Sequence, residues 1–111
     1  MNAWTRWTSA VRRRPLRPDR HAGSIEVTLL GRPGCHLCDE AASILANIGR
    51  KLPLNVRYVD IESDDTLLAR YMIEIPVILA DGVEVARAPI RRRALEAVLG
   101  HIAATTAGHS R

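Results

Sequence analysis

The only two cysteines of this 111-residue chain, Cys35 and Cys38, stand three apart in the run "GRPGCHLCDEAASIL". A thiolate attacks disulfides and ligates metals, so the pair could be a reagent, half of a metal site or a structural staple. A staple is unnecessary, because a single domain of this length with 47% apolar residues can bury its own core. One tiny ring is also no disulfide framework. Structural zinc takes four ligands, usually from a second close pair. Only His21, His36, His101 and His109 are on offer, none spaced as such a pair, so no metal site is expected. Which of these the pair is depends on what precedes and follows it.

A reagent needs positioning, and the flanking sequence supplies it. "SIEVTLL" alternates Ile25, Val27 and Leu29 with Glu26 and Thr28, the period of a strand. "RPG" breaks that strand. From His36 the apolar positions Leu37, Ala41, Ile44, Leu45, Ile48 and Leu52 follow helical spacing, ending near Gly49. "NVRYVDI" predicts a second strand. Ser63, Asp64 and Asp65 provide an N-cap and first-turn negative charge for a short helix through Leu67, Leu68 and Tyr71. "PVILA", the turn Asp81-Gly82 and "VEVAR" predict a hairpin. Pro89 is placed to open a last helix whose buried stripe is Leu95, Val98, Leu99 and Ile102. The order βαβαββα implies two parallel strands joined by a helical crossover, then an antiparallel hairpin, with helices packed on the sheet.

This order puts Cys35 where the first strand gives way to the helix and Cys38 inside the first helical turn. Residues three apart on a helix are neighbours on one face, close enough for a disulfide. Cys35, nearer the tip, is expected to be the exposed sulfur. At an ordinary pKa of ~8.5 only about 3% of a thiol is ionised at pH 7. The unpaired N–H groups and positive dipole at a helix start favour the thiolate. Arg32 adds positive charge, as does His36 when protonated, whereas Asp39 and Glu40 oppose it.

The chain's formal charge of +4 is unevenly distributed. Residues 1–24 hold six arginines against one aspartate, a net +5, which leaves −1 for the remainder. The basicity belongs to an N-terminal arm, and the folded part is nearly neutral. With Pro15, Pro18 and Gly23 breaking any helix, residues 1–23 read as a flexible basic extension, although their composition resembles that of an organellar transit peptide. They contain no apolar run of secretory-signal length, and no later segment reaches a membrane span. Nothing suggests a base-stacking platform for nucleic acid, since phenylalanine is absent and other aromatics are few. With no signal and a single cysteine pair, a reducing, cytoplasmic setting is expected.

"RPGCHLC" opening a helix after the first strand, "IPVI" opening the hairpin, and the βαβαββα order together resemble the glutaredoxin-like branch of the thioredoxin fold. The nearest likeness is to small glutaredoxin-like proteins with a GCHLC active site, and it covers residues 24 to about 102. It implies an α/β domain over 24–103, a four-stranded mixed sheet flanked by three helices, with 104–111 a frayed tail. Cys35 matches the nucleophile of that family and Cys38 the resolving thiol. Pro76 matches a cis-proline beside the active-site disulfide, and Ile75 the residue whose backbone meets an extended substrate. Arg32 matches a basic residue common at that offset, and His36 joins the substrate-binding set. No bound cofactor is implied beyond the redox-active disulfide. A low-molecular-weight thiol or a thioredoxin-reductase-type reductant is expected to reset it. Disulfides of proteins or small molecules are the expected substrates of a monomer that binds neither membrane nor nucleic acid. The alternative is a redox sensor or partner-binding module without turnover.

Two departures bear on the reductant. Leu29 and Gly34 stand where thioredoxins carry a buried carboxylate and a tryptophan. "ARAPI", Ala86 to Ile90, replaces the paired-glycine motif with which glutathione-using glutaredoxins receive the glutamyl carboxylate. Arg91, Arg92 and Arg93 then occupy the first turn of the last helix, where cations are disfavoured. They are candidate contacts for an anionic substrate, although a solvated basic face is the commoner outcome.

Overall fold

A computed structural model describes residues 24–109, with side chains described to residue 105. The expected N-terminal extension lies outside them. The element order is β1 (Ile25–Gly31), α1 (His36–Ile48), β2 (Leu54–Asp60), a 3-10 turn (Ile61–Ser63), α2 (Asp65–Tyr71), β3 (Val77–Ala80), β4 (Val83–Arg87) and α3 (Arg92–His109). The four strands form one mixed sheet in the order β2-β1-β3-β4.

β1 pairs in parallel with β2, Ile25 opposite Leu54 through Gly31 opposite Asp60, as the α1 crossover between them requires. Its other side pairs antiparallel with β3, which turns back as β4. Asp81 and Gly82 both take positive φ, 49° and 86°, the conformation a two-residue hairpin with matching twist demands. The turn is also tied to β1: the Asp81 N–H donates to the Glu26 carbonyl at 2.7 Å, and Asp81 Oδ1 accepts from the Glu26 N–H at 3.1 Å.

Strand alternation sends Ile25, Val27 and Leu29 to one face of the sheet. There they meet Ala42, Leu45 and Ile48 of α1, Leu95 and Leu99 of α3, and Tyr58 and Ile78, forming the larger core cluster. A smaller cluster joins Leu30, Val77 and Ile61 to Tyr71 of α2, Ile75 and Cys38. Asp64 caps α2, Oδ1 accepting from the N–H groups of Thr66 and Leu67 at 2.8 and 3.2 Å.

Three local expectations differ from the structure. α3 begins at Arg92 rather than at Pro89, because the chain bends at Ala88 and Pro89 before the helix starts. α3 continues to His109, past the position where the sequence placed a frayed tail; no proline interrupts "HIAATTAGH", and alanines favour the helix. Leu37 falls on the helical apolar pattern yet is 50% exposed, because it sits on the flank of α1 facing the loops that carry Pro76 and Ala88.

Candidate active site

The site lies beyond the C-terminal end of β1. Arg32 and Pro33 lead into Gly34, whose φ of 84° is a left-handed conformation open to glycine at little cost. The Cys35 N–H closes this turn on the Arg32 carbonyl at 3.4 Å. Cys35 is the N-cap of α1, with extended φ and ψ of −90° and 112°. Its Sγ takes the place of a capping oxygen and accepts from the Cys38 N–H at 3.1 Å. Its carbonyl begins the helical ladder, accepting from the Asp39 N–H at 3.0 Å. Cys35 and Cys38 are joined as a disulfide, with Cα atoms 5.2 Å apart.

The two sulfurs differ in access. Cys38 is 0% exposed and sealed in the smaller core cluster, whereas Cys35 is half-buried at the helix tip. Only Cys35 meets a molecule arriving from solvent.

Ile75 packs beside this pair and is joined to Pro76 by a cis peptide, and both residues are buried. Ile75 shares the smaller cluster with Cys38, and Cys35 packs against that cluster. Among the described residues no backbone hydrogen bond engages the N–H or C=O of Ile75. Its main chain is therefore free to pair with an extended segment.

The charged candidates are more dispersed. Arg32 is exposed in the turn. His36 Nε2 lies 3.0 Å from Glu40 Oε2, one turn along the exposed side of α1. Arg91, Arg92 and Arg93 are exposed at the start of α3. Arg92 lies near Glu96, whose carboxyl is held below its usual range by a hydrogen bond from Lys51 Nζ at 3.0 Å. Among the described residues no three His, Cys, Asp or Glu side chains are grouped as metal ligands.

Two features escaped the sequence reading. Asp39 Oδ1 is buried with no hydrogen-bond partner, directly after Cys38. A cleft of about 70 Å3 opens between α1 and the loops that carry Pro76 and Ala88. Leu37, the apolar residue between the two cysteines, was the only local signal of that cleft.

The comparisons with known proteins agree with this geometry. The model of the Glutaredoxin-like domain (DUF836) family matches residues 26–100, and the chain belongs to that family. The crystal structure of target protein XcR50 from X. campestris is 33% identical, with 68% of this chain and 96% of that one covered and a TM-score of 0.58. The solution structure of Ne2328 from Nitrosomonas europaea is 21% identical, covering 75% and 98% at a TM-score of 0.60. A mutant thioredoxin from Halobacterium salinarum NRC-1 is 17% identical, covering 71% and 74% at 0.55, a likeness of fold. Among curated proteins none matches. The chain thus has a thioredoxin-like α/β fold of glutaredoxin-like type with a C-x-x-C pair, a combination that points to redox chemistry.

Proposed function

We propose that the protein is a dithiol–disulfide oxidoreductase. The observation that carries this reading is the asymmetry of the pair: a reachable Cys35 at the helix tip, backed by a fully buried Cys38. In the reduced protein Cys35 attacks, as thiolate, one sulfur of a substrate disulfide. The substrate S–S bond breaks, the departing thiolate takes a proton, and the retained half stays bonded to Cys35. Cys38 then gives up its proton and attacks the Cys35 sulfur, releasing the second substrate thiol and closing the Cys35–Cys38 bridge. The substrate has gained two electrons and two protons. Two thiols of an external reductant, a low-molecular-weight thiol or a reductase dithiol, return them.

In this scheme Pro76 and Ile75 hold the substrate backbone, and Arg32 and His36 favour the anionic sulfur. Arg91, Arg92 and Arg93 draw anionic groups toward the site. The protein acts as a monomer in the cytoplasm, where disulfides are kept reduced. No described helix is long and apolar enough to cross a membrane.

The test is the reduction potential of the pair, measured by trapping free thiols across a series of thiol/disulfide buffers. A value of about −200 to −270 mV is expected for an exchanging reductase. Failure of the bridge to form at any poise overturns the dithiol mechanism. A bridge that forms but turns over no small disulfide assigns the protein to redox sensing or partner binding.

A further inference from the structure

Arg87 ends the edge strand β4, and its side chain reaches back to the loop before β3. The guanidinium joins two carboxylates: Nε donates to Glu84 Oε2 at 2.6 Å, and Nη1 donates to Glu74 Oε1 at 3.1 Å. Glu74 immediately precedes Ile75, the residue whose main chain is left open beside the disulfide.

The sheet is shaped to allow this contact. Residues three apart on a regular strand point to opposite faces, so Glu84 and Arg87 would not meet there. β4 bulges between them: Ala86 lies opposite Ile78 but Glu84 lies opposite Leu79, which leaves Val85 as an extra residue. Arg87 lies opposite Val77, and Val77 and Leu79 share a face, so the bulge turns Glu84 and Arg87 onto one side of the sheet. It is the side of the smaller cluster, with Cys38 and Ile75. Glu84 thus orients a planar fork whose second N–H meets Glu74, an arrangement that a lysine ammonium cannot reproduce.

Main-chain ties flank Ile75 as well. The Glu74 N–H donates to the Tyr71 carbonyl at 2.8 Å, and the Ala88 N–H donates to the Pro76 carbonyl at 3.0 Å. The Arg87 side chain adds a tie at Glu74, so the segment is held on both sides of the one residue that stays open. A pair with side chains 51% and 37% exposed adds little to global stability, and its effect falls on the segment it holds.

We infer that Arg87 is a positioning residue for disulfide exchange: oriented by Glu84 across the bulge, it holds Glu74 and thereby fixes the main chain of Ile75 for the incoming substrate. The inference rests on the proposed exchange reaction, in which Ile75 meets the substrate backbone.

Two uncharged probes separate positioning from a merely structural role. One is the symmetric disulfide of a capped cysteine pentapeptide, which has a main chain to pair, and the other is hydroxyethyl disulfide, which has none. The full-length dithiol protein reduces each in single turnover, and the ratio of the two second-order rate constants is read. Arg87→Ala and Glu74→Gln are each expected to lower the peptide-to-hydroxyethyl ratio on the order of threefold, the scale of an exposed ion pair. The double variant should lose no more than either single one, because both cut the same link. Glu84→Ala, which frees the guanidinium without touching the loop, should lower the ratio too. In the unsubstituted protein the ratio should fall as salt is raised to about 1 M, and in Arg87→Ala it should stay flat. The salt series on unsubstituted protein gives a second reading if a variant fails to fold. A ratio that neither the variants nor salt move, equal losses on both probes, or losses that add in the double variant overturn the positioning role while leaving the exchange reaction standing. Exchange with neither probe, from protein whose bridge opens and closes reversibly, overturns the reaction itself and the positioning role with it.

Discussion

At the scale of single residues, the unlike burial of the two sulfurs makes their substitutions diagnostic. Cys38→Ser should leave Cys35 able to attack but unable to release its product, so a mixed disulfide with substrate accumulates and is seen by mass spectrometry. Cys35→Ser should trap nothing and abolish turnover, because the remaining sulfur is sealed in the core. Gly34→Ala meets no atom within 4 Å, so its cost is conformational, about 1–2 kcal/mol for a left-handed residue, read in chemical denaturation. Tyr58 carries a pH prediction. Burial pushes its phenol well above the ordinary value of 10.0. Below pH 10 both folded and unfolded chains keep the proton and stability is flat. Above it the unfolded chain loses the proton first, so stability falls as pH rises, by up to about 1.4 kcal/mol per pH unit for this group. Tyr58→Phe should remove that alkaline slope in unfolding curves recorded from pH 9 to 11.

At the scale of elements, α2 depends on its cap and α3 on its packing. α2 spans only Asp65–Tyr71, too short to persist by propensity, and Asp64 satisfies two of its first N–H groups. Asp64→Ala should cost about 1 kcal/mol and speed hydrogen exchange in α2 before the other helices. The strands, the Asp81-Gly82 hairpin and the cap at Asp64 were legible in sequence because each depends on neighbours a few residues away. The cis bond at Pro76 was legible only through family resemblance, since periodicity says nothing of peptide isomer. The cleft was not legible, because its walls come from positions 37–44 and 76–90, brought together by sheet topology. Leu37 shows the limit well: helical spacing gave it a core role, whereas the loop carrying Ala88 and Ile90 left it at the mouth of a groove. The start of α3 was read too early for a related reason, Pro89 being a common first helical residue that here lies in a bend.

For the molecule as a whole, the sheet separates two apolar clusters, and only the smaller one contains Cys38. Leu99→Ala in the larger cluster and Ile61→Ala in the smaller should each destabilise by about 2–5 kcal/mol. Their effects should add to within about 0.5 kcal/mol, as distant sites do. They should differ in redox behaviour. Loosening the packing around Cys38 alters the environment of its thiol, so Ile61→Ala is expected to shift the reduction potential of the pair and Leu99→Ala to leave it in place. Equal shifts in both variants would count against the separation. The burial of Cys38 has a kinetic consequence as well. If every electron pair enters and leaves through the one sulfur that solvent can reach, substrate and reductant must visit in turn, and the protein must complete one half-reaction before it can begin the other. Double-reciprocal plots taken at several reductant concentrations should then be parallel lines, the signature of a ping-pong enzyme.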